Sequence, residues 1–223
     1  MRSDNDIQKD ITQEFKWEPR LQDDDLAVGV REGIVTLAGY TRSYTDKVTA
    51  ERAASRVKGV KAVANDIEVR LPTISARPDP EIARAVVYAL QWHTSVPDER
   101  IQVKVDHGRV TLVGDVDWYY QKEEAERAAR VLMGVKGVSN LITLKARPTS
   151  SDVKEKIKKA LQRGAELDAD HITVEIASHK ATLRGTVRAF AERRDAERAA
   201  RNAPGVTEVE NQLTVDPYAF AAV

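Results

Sequence analysis

One block of sequence is written three times along this chain. Val35-Thr36-Leu37-Ala38-Gly39 returns as Val110–Gly114 and, varied, as Ala181–Gly185. Ala-Glu-Arg-Ala-Ala at Ala50–Ala54 returns at Ala125–Ala129 and Ala196–Ala200. Both motifs step by 75 residues and then by 71. Two motifs that keep one spacing mark a folded unit copied twice, so the 223 residues divide into three small units. The expected boundaries are 3–72, 79–146 and 149–216, with a tail at 217–223. Units of about 70 residues sit near the lower limit for a self-sufficient core. They are expected to lean on one another.

Each unit opens on an amphipathic helix. Ile7, Ile11 and Phe15 recur at i, i+4, i+8, as do Ile82, Val86 and Leu90, and then Val153, Ile157 and Leu161. Asp79 reads as the cap of the second of these helices, with Pro80 at its first position, and Ser150 stands at the equivalent cap. Two alternating segments follow and read as a hairpin with one buried face, joined in the first unit at Glu32-Gly33. Gly39, Gly114 and Gly185 end its second strand, where the backbone needs positive φ or a close helix approach.

A second helix starts at Tyr44, Tyr119 or Phe190 and buries alanines, for example Ala50, Ala53 and Ala54. Gly59, Gly134 and Gly205 stop it. Asn65, Asn140 and Asn211 precede the last strand, where a turn or a bond to the backbone explains them. The expected fold class is α+β: three tandem αββαβ units, each with two helices on one face of a three-stranded mixed sheet. Pro72, Pro78, Pro80 and Pro148 stiffen short junctions, which predicts a compact array.

The Val-Thr-Leu-x-Gly strand, the alanine-rich second helix and Gly134-Val135-Lys136-Gly137-Val138-Ser139-Asn140-Leu141-Ile142 resemble the BON domain over roughly residues 3–216. The resemblance implies a non-enzymatic module of envelope or osmotic-stress proteins that contacts phospholipid surfaces or other proteins. It brings no catalytic motif.

The residues themselves offer little chemistry. Acidic and basic side chains number 35 each, and within each third of the chain they differ by no more than one. Phosphate-backbone binding relies on a basic excess, so nucleic acid is not an expected partner. There is no cysteine, and His93, His107, His171 and His179 fall at non-equivalent places without ligand spacing, so neither a metal nor a cofactor is expected. Asp23-Asp24-Asp25 lacks the glycine and distal glutamate of a calcium loop. Glu51, Glu126 and Glu197, each followed by arginine, read as a salt-laced helix surface rather than acid–base catalysts. No catalytic residue is expected.

Two features exceed what a bare scaffold requires. Lys156, Lys159 and Arg163, with Lys154 and Lys158, make the third unit's opening helix a basic amphipath able to lie against anionic headgroups. Trp17 and Trp92 occupy equivalent positions after the first helix, while Trp118 and Tyr120 have no aromatic counterparts. These are candidates for a membrane, inter-unit or oligomer contact. Tyr218 and Phe220 make the tail apolar. Together with the resemblance, these residues predict a non-catalytic adaptor of envelope or osmotic stress on anionic phospholipid, or alternatively a scaffold that self-associates through the exposed aromatics of the first and second units. As the chain stands it is expected in the cytoplasm, and in the periplasm if a leader once preceded Met1.

Overall fold

The computed structural model describes residues 2–21, 25–145, 153–163, 171–216 and 219, with the side chains of 162 and 163 excepted. The first unit runs α1 (Asp4–Trp17), β1 (Asp25–Arg31), β2 (Ile34–Thr41) and α2 (Tyr44–Arg56), then a third strand in two pieces, β3 (Ala62–Asn65) and β4 (Glu68–Val69). The second runs α3 (Asp79–Gln91), β5 (Ile101–Asp106), β6 (Arg109–Val116), α4 (Tyr119–Arg130) and β7 (Gly137–Leu144). The third runs α5 (Val153–Arg163), β8 (Ile172–Ala177), β9 (Lys180–Val187), α6 (Phe190–Arg201) and β10 (Glu208–Val215). Every unit is αββαβ. Its hairpin is antiparallel, and its last strand lies parallel to the middle one.

Three separate sheets carry three separate cores. The helical stripes supply one layer of each: Ile11, Val86 and Ile157 are essentially inaccessible to solvent. Val35, Leu37, Val110, Leu112 and Leu183 supply the facing layer from the middle strands. Full burial of one such side chain contributes about 1.5–3 kcal/mol. The alanines of the second helices are buried as the sequence implies, which brings helix backbone close to the sheet.

Three local details differ from the sequence reading. Asp79 does not cap its own helix; Pro78 occupies the cap. The Asp79 carboxylate instead accepts from the amides of His107 and Gly108, both at 2.8 Å. Asp4 does the same for Glu32 (2.7 Å) and Gly33 (3.0 Å). Those tight turns have left-handed backbone at both residues and leave their amides outside the ladder, so a helix carboxylate is recruited to satisfy them. Ser150 lies outside the described residues.

Gly39, Gly114 and Gly185 do not end the strand, which continues two residues further. All three have positive φ. A Cβ there would collide with the backbone oxygen of Asp25, Arg100 or His171 on the adjoining strand or at its start, so the close approach is to strand backbone and not to a helix. Gly59, Gly134 and Gly205 also have positive φ, but they lie in the turn beyond the second helix rather than at its last residue.

The units touch head to tail. Tyr44 packs against the second unit's core, and Thr45 Oγ1 donates to the Arg130 carbonyl at 3.4 Å. Burial raises the Tyr44 hydroxyl above its usual pKa, partly offset by a hydrogen bond from the Val138 backbone. The equivalent Tyr119 is likewise raised by burial and then by the Glu123 carboxylate, with the third unit's Arg201 opposing. α2 in turn meets α6, which closes the three units into a ring.

Candidate binding surfaces

A polar tie repeats in every unit and accounts for the recurrent glutamates and asparagines. In the second unit Asn140 Nδ2 donates to the Lys122 carbonyl at 2.8 Å and to Glu126 Oε2 at 3.3 Å. Its Oδ1 accepts from the Ile142 amide, while Lys122 Nζ donates to the Ile142 carbonyl at 2.6 Å. Asn65 reaches the Lys47 carbonyl and Glu51, and Asn211 reaches the Arg193 carbonyl and Glu197. The tie sews the second helix to the last strand, and satisfied groups of this kind are structural rather than reactive. Burial lowers the pKa of Lys47 and Lys122, whose ammonium groups are held inside it.

The second helices of all three units line one cavity of about 250 Å³. Arg52 enters from α2, Arg127 and Arg130 from α4, and Arg194 and Arg198 from α6. Arg52, Arg127 and Arg198 are the same repeat position, the arginine of Ala-Glu-Arg-Ala-Ala. Sequence reasoning saw these arginines only as half of a surface pair. The available signal was a Glu-Arg step kept in every copy on a helix whose alanines already face the sheet.

The residues that the sequence nominates for lipid or partner binding lie elsewhere; none of them lines this cavity. Trp17 is the last residue of α1 and Trp92 caps α3; they are 84% and 85% exposed. Tyr88, one turn before Trp92, is 63% exposed. Trp118 caps α4 and is half-buried, while Tyr120 is 46% exposed. On α5, Val153, Ile157 and Leu161 are fully used by the third unit's core, so the basic helix has no apolar stripe left to insert. Lys154, Lys156 and Lys159 do face outward. The Arg163 side chain, Asp23, Asp24, Tyr218 and Phe220 lie outside the described residues. Among the described residues, no group of three or more His, Asp or Glu side chains is placed to hold a metal ion, and no helix is long and apolar enough to cross a membrane.

A family model described as the BON domain matches three times, at residues 3–70, 78–146 and 149–217. The chain belongs to the BON family. Its BON units are similar to osmotically-inducible protein Y of Escherichia coli (strain K12), 29% identical over 120 residues. That match takes in 52% of this chain and 60% of the relative, so the chain spans less than two thirds of it. Among solved structures, the C-terminal domain of CdsD, a structural protein of the type III secretion system of Chlamydia trachomatis, gives a TM-score of 0.26 at 14% identity, over 96% of this chain and 99% of that one. The PrgH periplasmic domain gives 0.22 at 11% identity, over 85% and 94%. Likenesses this distant say nothing about how the BON units are arranged or what they do.

Proposed function

We propose that this BON array is a non-catalytic binding protein of the cell envelope under osmotic stress, docking reversibly on anionic phospholipid from the periplasmic side. The osmotic setting is carried over from the name of the Escherichia coli relative, and the envelope setting from the family.

The observation that supports the docking is the exposure of Trp17 and Trp92 at equivalent helix ends. Exposed Tyr88 and Lys159 occupy one further shared repeat position, one turn before the helix end in their units. Indoles suit the headgroup layer because one edge is apolar and the other donates a hydrogen bond. Each cation near such a surface contributes about 1 kcal/mol. Lys156 and Lys159 therefore act as surface charges in this reading, with Arg163 at the repeat position of Trp17 and Trp92.

Co-sedimentation with vesicles tests the docking. Recovery is expected with phosphatidylcholine–phosphatidylglycerol vesicles, weakening with salt and falling when Trp17 and Trp92 are changed to alanine. Equal, salt-independent recovery with neutral vesicles would sink it. Cell fractionation tests the location, and a wholly cytoplasmic pool would count against the periplasmic assignment.

A second reading rests on exposed Tyr120 beside Trp118, with Val113 and Leu141 exposed as a register pair on the second unit's open sheet. Here copies of the chain self-associate through that unit. Light scattering that finds a concentration-independent monomer, unchanged by Trp118→Ala, would eliminate it.

A further inference from the structure

The arginine-lined cavity contains none of the residues assigned above to the lipid-docking surface. We propose that it is a phosphate-binding site, in which guanidinium groups from all three units grip one phosphate or diphosphate group and clamp the ring.

The local charge balance is the first argument. Glu126 is engaged by Asn140, and Glu197 by Asn211 and Arg201. Arg127 pairs with Glu124 at 2.9 Å, and Arg198 with Glu123 at 3.6 Å. Among the described residues, the side chains of Arg52, Arg130 and Arg194 form no ion pair within 4.0 Å. Three cations without an ion-pair partner thus face one small space, whose lining holds five arginines against the carboxylates of Glu123, Glu126 and Glu197. Burial, and then the positive charges of Arg130, Arg194, Arg198 and Arg127, hold the Arg52 guanidinium below the usual arginine range. Arg52 keeps an exposed surface, so this desolvation is partial and an ion can enter from solvent.

Chemistry and size select the ligand. Like charges gathered without a partner are costly, and an anion removes the cost only where it binds. Guanidinium is planar and matches phosphate oxygens two at a time, which lysine cannot do. The cavity, at about 250 Å³, lies below the range typical of drug-sized ligand sites, about 300–1,000 Å³, and suits a compact oxyanion. Because the arginines come from three units, a bound anion would stabilise the assembled ring over its separated parts.

The full chain is titrated with sodium pyrophosphate against sodium chloride of matched ionic strength, by calorimetry and thermal unfolding. Pyrophosphate is expected to raise Tm where chloride does not. Changing Arg52 and Arg194 together to alanine is expected to weaken binding at least about tenfold, as loss of a charge-assisted pair implies. That double variant removes repulsion, so the anion-free protein is expected to unfold no earlier than the parent; Arg52→Lys keeps the charge, loses the fork and is expected to bind more weakly than the parent. Equal responses to chloride and pyrophosphate would overturn the site, as would a double variant that binds like the parent.

Phosphatidic acid vesicles distinguish the sources. Release of vesicle-bound protein by pyrophosphate assigns a lipid headgroup to the cavity, and vesicle binding indifferent to pyrophosphate assigns a free phosphate. Loss of vesicle docking in the tryptophan variants, with pyrophosphate binding kept, separates this site from the lipid-docking surface.

Discussion

The guanidinium of Arg201, at the end of α6, lies 5.3 Å from the ring centroid of Tyr119, the first residue of α4. The two belong to different BON units, and the pair repeats in position the contact of Tyr44 with the strip around Arg130 and Val138. One surface of the first and of the second unit thus meets the same complementary surface of the unit that follows. Tyr119→Ala is expected to lower stability by several tenths of a kcal/mol to about 1 kcal/mol beyond its lost packing, as for a half-exposed cation–π contact. A double-mutant cycle with Arg201→Ala, read by urea unfolding, checks it. Additive losses would mean that the two residues do not interact.

The asparagine tie makes a sharper claim. Asn140→Ala removes donors to a carbonyl and a carboxylate and an acceptor for the Ile142 amide. Leaving partly buried groups unsatisfied costs about 1–3 kcal/mol. Chemical denaturation is expected to show that loss, and Asn65→Ala and Asn211→Ala should each show a similar one. No loss at any of the three sites would contradict a structural role.

Gly114→Ala is expected to be worse. Its positive φ and the adjacent Arg100 carbonyl leave no room for a methyl group. Left-handed backbone alone costs a non-glycine residue about 1–3 kcal/mol, before the collision is counted. Hydrogen exchange should report faster opening across β5–β7 than across β8–β10.

Acid should loosen the third unit through Glu197. Burial pushes this carboxyl up, but hydrogen bonds from Arg201 and Asn211 outweigh burial and hold its pKa below the ordinary 4.5. A group depressed in the folded state is stabilising above its unfolded pKa, and that contribution disappears as pH falls through the folded value. Glu197→Gln is therefore expected to cost stability at pH 7 and progressively less below pH 4.5. A pH-independent difference in Tm would refute the assignment.

Trp17→Ala and Trp92→Ala provide the contrast. Both side chains are almost fully exposed, so each change is expected to alter stability by no more than about 0.5 kcal/mol. Thermal unfolding checks this, and a larger loss would mean that the indoles serve the fold.

The fold was legible in the sequence because its determinants are periodic and local. Ile82, Val86 and Leu90 announce a buried stripe by their spacing alone, and Gly114 announces a special backbone by recurring in all copies. The role of Asp79 was not legible, since a carboxylate at a helix start can turn to its own helix or to a neighbouring turn. The turn at His107-Gly108 prevailed because its amides had no other partner.

Sequence by itself settled three copies of an αββαβ unit and the side chains that each copy hides, because burial within a unit follows from the 3.6- and 2-residue periods of helix and strand. Tertiary structure alone decided that Arg52, Arg130 and Arg194 share one cavity and that Tyr119 reaches Arg201. These residues lie up to 142 positions apart, and no helix or strand period joins them. Their proximity comes from how complete units dock, and docking depends on surface shape and charge that linear spacing does not encode.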